Sequence, residues 1–233
     1  MVFYQPKVES GRHVLDEEES SHCARVLRKR TGDEVEVRDG KGNIYHVRLT
    51  DVHPRSCTFE ILTKRFTAPD AYHIHLAIAP TKNADRMEWM VEKCVEVGLH
   101  ELTFLSCDHS ERSKIRFDRL KKKAISAMKQ SRRAYALSLH EEIVPFRKFV
   151  TESIAETPAA LAHVSEDQPH MPLTDWHPGS STVILIGPEG DFSTQELALA
   201  TSHEIPLVSL GKNRLRTETA GLIATHTMLL HYQ

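Results

Sequence analysis

From His73 to the end of the chain, apolar runs of strand length alternate with amphipathic stretches of helix length, and no other feature of these 233 residues limits the fold as strongly. Strands are expected at 73–80, 102–107, 139–144, 159–164, 182–186 and 206–210. Helices are expected at 85–97, ended by Gly98, then over the basic stretch after Cys107, and at 146–156, 193–203 and 217–231. Such alternation implies an α/β fold in which a parallel sheet carries helices on both faces. Ser193 is placed to cap one of the last two helices and Thr217 the other. The polar stretch 165–181, with Pro169, Pro172 and Pro178, reads as an exposed loop.

The first 67 residues follow a different grammar. A short helix-like segment covers 17–26, and two alternating segments, 34–38 and 44–49, flank Asp39-Gly-Lys-Gly-Asn43, which reads as a hairpin turn. A further strand at 57–62 completes a small antiparallel β domain at 1–67, and Thr67-Ala-Pro-Asp70 links it to a larger domain at 72–233.

Composition narrows the function classes. The charged fraction of 27% and hydrophobic fraction of 40% are those of an ordinary globular chain, and no apolar run approaches membrane-spanning length. The amino terminus lacks the pattern of a secretory signal, so a cytoplasmic location is expected. Cys23, Cys57, Cys94 and Cys107 form no Cys-x-x-Cys pair and read as reduced packing residues. The fifteen histidines include no His-Glu-x-x-His, so no metal is expected, and His73 and His75 share a strand. Charge is uneven, however: residues 111–133 carry ten Lys or Arg against Glu111 and Asp118, a local net of +8 within a chain of net −2. Phe117, Leu120, Ala124, Ala127 and Met128 define a core face of this helix, while Arg119, Lys122, Ser126, Lys129 and Arg133 form a stripe suited either to solvent or to a phosphate backbone.

Two phrases carry the chemistry: Ile186-Gly-Pro-Glu-Gly-Asp-Phe-Ser193 and Leu210-Gly-Lys-Asn-Arg-Leu-Arg-Thr-Glu-Thr-Ala220. Each follows a strand and opens a helix. Ligands of open parallel sheets collect beyond the carboxyl ends of strands, where helix amino termini and backbone amides converge, so the paired loops predict one pocket. The chain has no Gly-x-x-x-x-Gly-Lys-Ser/Thr, and Gly40-x-Gly42 sits in a hairpin without a third glycine, which disfavours nucleotide hydrolases and dinucleotide domains.

At Gly187-Pro-Glu-Gly190 with Phe192-Ser193 and Glu196, and at Leu210-Gly211 with Leu215-Arg-Thr-Glu-Thr-Ala220, the chain closely resembles the RsmE-type 16S ribosomal RNA uridine-N3 methyltransferases. The resemblance runs the whole length. Residues 1–67 resemble the family's PUA-like RNA-binding β-barrel, with His22 and Val26-Leu27-Arg28 in place. Lys82, Arg86, Glu88, Lys93, Glu96 and Gly98 resemble its first catalytic-domain helix, and Gln130-Ser131-Arg132 a later motif. It implies a SPOUT methyltransferase domain with a C-terminal trefoil knot, S-adenosylmethionine as methyl donor, a homodimer, ribosomal RNA of the small subunit as partner, and a place in rRNA processing and ribosome biogenesis.

The resemblance also implies roles. The donor would lie against Leu161, Ala162, Gly187, Pro188, Glu189, Gly190, Leu210, Gly211, Asn213, Leu215, Arg216 and Thr217. Uridine N3 loses a proton as it is methylated, and Arg216 is either the cation that stabilises the developing anion or a salt-bridge partner across the dimer interface. Glu189 either holds the glycine loop or approaches the ligand, and Glu218 suits the first turn of the last helix. Arg25, Arg28, Lys29, Arg30, Lys82, Arg86, Lys122, Lys129, Arg132 and Arg133 would contact RNA phosphates. The chain departs from the family's pattern at Asp191, commonly glycine, at Asn213, often arginine, at Arg214, usually aliphatic, and at Lys129, usually glutamate. A SPOUT ribose 2′-O-methyltransferase and a non-catalytic RNA-binding assembly protein are the rival readings.

Overall fold

The computed structural model describes residues 1–111, 114–154, 157–164 and 170–233. The chain divides into two compact units: Met1–Asp70 with Ile125–Ala136, and Ala71–Ala124 with Leu137–Gln233.

The first unit holds a four-stranded sheet of β1 (Val2–Tyr4), β2 (Glu34–Arg38), β3 (Asn43–His53) and β4 (Ser56–Phe66), in that order. The expected hairpin is β2–β3, with Val37 opposite Tyr45. The domain is not purely antiparallel, because β1 runs parallel to β2. Only three residues of β1 pair, too few for an alternation to register in the sequence. Phe3, Leu15, Val37, Val47, Leu49 and Phe59 close the core. Helix α1 (Glu17–Ser21) starts at Asp16, whose Oδ1 accepts a hydrogen bond from Glu19 N at 2.8 Å, and continues into a π turn over His22–Val26.

The second unit is a seven-stranded sheet of β5 (His73–Ile78), β6 (Glu101–Ser106), β7 (Ser138–Pro145), β8 (Ala159–Ala162), β9 (Met171–Pro172), β10 (Ser181–Ile186) and β11 (Leu207–Ser209). The order is β7-β6-β5-β10-β8-β11-β9 and every pairing is parallel. Helices are α2 (Ala84–Glu96), α3 (Phe117–Gln130, whose residues from Ile125 on belong to the first unit), α4 (Phe146–Lys148), α5 (Thr194–Ser202) and α6 (Thr217–Tyr232). Strand alternation sorts the core into two faces. Ala77, Leu105, Leu161, Val183 and Leu185 pack with Phe146, Phe149 and Phe192 on one side. On the other, Leu76 and Ile78 meet α2 and α6 at Gly221, where an added Cβ would lie 2.9 Å from Ile78 Cδ1 and 3.1 Å from Met90 Sδ.

Three local expectations change. The helix at 146–156 is one α turn followed by a π turn over Phe149–Ser153; Glu156 lies outside the described residues. Part of 165–181 also falls outside them, and the described part is not simply a loop: Met171 and Pro172 pair with β11, and Leu173 is buried. Thr217 does not cap α6 but is its first residue; Arg216 occupies the cap position and offers no side-chain hydrogen bond there.

Candidate active site

β8, β10 and β11 all end at one edge of the sheet, and the loops leaving them enclose a cavity of about 440 Å³. Two loops with no sequence proximity therefore become adjacent walls because their strands are both neighbours of β8. Of the expected donor contacts, Ala162, Gly187, Pro188, Glu189, Leu210, Gly211, Asn213, Leu215, Arg216 and Thr217 line it. Leu161 does not; it sits one residue back on β8, fully buried in the sheet core. Gly190 is exposed on the loop and is also not part of the lining.

The loop after β10 is braced from behind. A Cβ on Gly187 would come within 3.0 Å of the Phe192 ring, which is buried against Phe146 at a centroid distance of 5.2 Å, so a glycine lets backbone and ring approach. Ser193 caps α5 as expected: its Oγ accepts from Glu196 N at 3.2 Å while Glu196 Oε2 accepts from Ser193 N at 2.8 Å, a complete capping box. The other oxygen of Glu196 accepts from Asp108 N at 3.0 Å, fixing the turn after β6 as well. Glu189 holds the loop: Oε1 accepts from Lys82 N at 3.2 Å, and its carbonyl accepts from Arg214 Nη2 at 3.3 Å.

The second wall, from Leu210 to Arg216, is looser. Gly211 has φ +129°, and a Cβ added there would meet nothing within 4 Å, so only its backbone conformation demands glycine. The loop delivers the chain to α6, whose first-turn N–H groups have no side-chain cap and lie among lining residues Arg216, Thr217 and Glu218. Glu218 is buried in that turn, 3.6 Å from Arg86 Nε. Arg216 is exposed and lines the cavity, and among the described residues it forms no ion pair.

Sequence reasoning did not place Arg86, Ile186, Glu218 and Ala220 in the lining, whereas His163 and Val164 lie in the loop after Leu161-Ala162, Arg214 within 210–217 and Asp191 at the pocket rim, stretches to which it points. Asp191 has φ +63°, a left-handed conformation at the position where the resembled pattern commonly has glycine, and its Oδ2 lies 2.9 Å from His163 Nδ1 without hydrogen-bond alignment. The His170 ring lies tilted against His163, with centroids 5.3 Å apart; burial holds its pKa down, and the neighbouring His163 adds to the depression.

The basic residues divide. Arg25, Arg28 and Arg30 are exposed in the first unit, and Lys29 lies 3.8 Å from Asp33. Arg132 is exposed with φ +56°, and Arg133 is half-buried. Lys129 pairs with buried Glu19 inside the first unit. In the second unit Lys122 is exposed, whereas Lys82 pairs with Glu111 and Arg86 turns to Glu218. Arg119 meets Glu88 at 3.0 Å, Lys123 meets Glu92 at 3.4 Å, and Lys121 pairs with Glu141, so much of the charge on α3 is balanced by α2 and β7.

The RNA methyltransferase domain model matches residues 68–229, and the RNA methyltransferase PUA domain model matches residues 15–62. The crystal structure of a probable rRNA-methyltransferase from Porphyromonas gingivalis superposes with a TM-score of 0.91 at 38% identity, covering 100% of this chain and 99% of that one. The ribosomal RNA small subunit methyltransferase E of Neisseria gonorrhoeae, bound to S-adenosyl methionine, gives 0.84 at 28% identity over 97% and 95% of the two chains. The enzyme of the same name from Aquifex aeolicus is 28% identical over 239 residues, 99% of each chain. Most of the expected donor wall lies on one cavity in a chain matched at both domains, and the protein belongs to the RNA methyltransferase family that includes ribosomal RNA small subunit methyltransferase E.

Proposed function

We propose that this protein methylates N3 of a uridine in 16S ribosomal RNA of the small subunit, with S-adenosylmethionine as donor. The observation that carries the reading is the convergence of both glycine loops and the uncapped start of α6 on one cavity. About 440 Å³ falls within the usual range for small-molecule sites, and its walls combine glycine-loop backbone and aliphatic side chains with charged groups such as Arg86, Asp191 and Arg216, a surface suited to an adenosine and a short zwitterionic amino-acid tail. Family membership and the donor-bound Neisseria relative favour the same ligand. The donor supplies an electrophilic methyl group when bound.

The remaining chemistry belongs to this chain. As uridine N3 loses its proton, charge moves onto the ring carbonyls, and Arg216, exposed at the cavity and without an ion-pair partner among the described residues, stabilises that anion. Glu218 balances Arg86 and holds the amino end of α6 in place, where a carboxylate also suits the helix dipole. The loop pinned by Glu189, Lys82 and Arg214 keeps one wall fixed while the target base enters. Arg25, Arg28 and Arg30 of a PUA-like domain at 1–67, together with Arg132 from the Ile125–Ala136 segment of the same compact unit, contact RNA phosphates and so serve the catalytic domain at 72–233. The proposal includes a homodimer in the cytoplasm and a trefoil knot at the carboxyl end; insertion of β10 between β5 and β8 supports the knot.

The test is enzymatic. Purified protein, donor and small-subunit RNA from a strain lacking the gene are incubated, and the RNA is digested to nucleosides for mass spectrometry. New 3-methyluridine is expected; a ribose-methylated nucleoside in its place, or no methylation, overturns the reading.

A further inference from the structure

Fifteen histidines are many for this chain, and several gather where methyl transfer has no use for them. The place is the amino-terminal edge of the parallel sheet, opposite the cavity. β5 begins with His73 and carries His75 two residues on, so both leave the same face. The β5–β6 register sets His75 beside Glu101. Between β6 and β7 the register slips: Leu102 pairs with Leu139 but Phe104 with Ile143, and the resulting bulge returns His140 to Glu101.

The outcome is a ring of imidazoles around one carboxylate. His140 Nε2 lies 2.6 Å and His75 Nδ1 3.7 Å from Glu101 Oε1, and His73 Nε2 lies 3.5 Å from Glu101 Oε2. One ligand atom from each of His75, Glu101 and His140 falls within 4.8 Å of the other two. The His75 ring is also oriented. Its Nε2 is 2.8 Å from the hydroxyl of buried Thr103, and with Nε2 as donor the Nδ1 lone pair is free on the Glu101 side.

We propose that His75, Glu101 and His140 form a binding site for one zinc-class divalent ion, with solvent completing the coordination. Imidazole nitrogens with a single carboxylate suit zinc, whereas calcium and magnesium demand more oxygen ligands than this cluster offers. Its ligands come from the starts of three adjacent strands, so the bound ion ties β5, β6 and β7 together at the edge away from the chemistry. Ligands spread over three strands leave no short sequence motif.

The test uses the full chain, stripped with chelator and titrated with ZnCl₂ by calorimetry, with MgCl₂ as control. One zinc equivalent, no magnesium binding and a raised Tm with zinc are expected. His140→Ala, at a half-exposed position, and Glu101→Gln should each weaken zinc at least tenfold and abolish the Tm rise. Thr103→Val, which leaves every ligand in place, should weaken it roughly tenfold through the lost orientation of His75. Absence of stoichiometric zinc binding by the native chain overturns the proposal. So does unchanged affinity in His140→Ala, which would place the ion on other histidines; should that variant fail to fold, unchanged affinity in Thr103→Val is the refuting result.

Discussion

Replacing Gly211 by alanine separates the cost of a backbone conformation from the cost of a clash. A Cβ at this position meets nothing within 4 Å, so the whole effect resides in φ +129°, a region open essentially to glycine alone. Holding alanine there costs about 1–3 kcal/mol. The loop is exposed at Gly211, so the free variant escapes the strain by moving away, and its Tm changes little. Donor binding must then restore the strained conformation, and 1–3 kcal/mol becomes roughly a 5- to 150-fold rise in Kd. Calorimetry with S-adenosylmethionine measures it directly. Gly179→Ala is the matched control, since it also has positive φ (+84°) and open space around a Cβ but lies outside the cavity lining. Donor affinity of Gly211→Ala within twofold of the native value, or an equal loss in both variants, refutes the reasoning.

Four further outcomes are expected. Arg216→Ala should lower turnover by about 10²–10³ while leaving donor Kd nearly unchanged, in line with the loss of one anion-stabilising group; an equal loss in Kd would assign it a structural role. His75 has its folded pKa lowered from 6.5 to about 4, so the unfolded chain binds its proton first and stability falls as pH drops from 6.5 towards 4, by about 3 kcal/mol; urea midpoints with chelator present should show this slope in the native chain and a flatter one in His75→Gln. Glu19 has a raised pKa, chiefly from burial, so its ionisation opposes folding as pH rises above about 4.5, and Glu19→Gln should remove that decline in denaturation midpoints. All four cysteines are buried and free, and burial pushes the thiols of Cys23 and Cys94 up to about 12; a thiol reagent should find none of them in the native protein and four after denaturation.

The periodic parts of the fold were open to reading because burial imposes period. β5, β10 and α2 are continuous apolar or amphipathic segments, and their sequence positions nearly coincide with the observed ones. β1 and β9 were hidden for the opposite reason: with three and two residues they are defined by partners, not by pattern. The cavity shows the same division. Its two glycine loops announce themselves through residues that only close approach or unusual φ requires, whereas Ile186 and Ala220 are ordinary residues made important by where β10 stops and α6 begins. Lys129 illustrates a different limit. On a helical wheel it belongs to a solvent stripe, and only the position of Glu19, 110 residues away in sequence, turns it inward. Charge partners across such separations leave no local trace.

The two walls of the cavity are mechanically unequal. One is wedged: Phe192 lies beneath Gly187, and Glu196 ties the next helix to the turn after β6. The far end of the other is packed closely too, because Gly221 seats α6 on β5 and α2 so that an added methyl would have to push aside the side-chain ends of Ile78, Met90 and Leu76. Adaptation is thereby confined to the short span between β11 and α6, where Gly211 has room to turn. A bound ligand should leave its imprint there, as slowed amide exchange over residues 210–216 and little change over 187–192, so that half of the site acts as a template and the other half takes the shape of its guest.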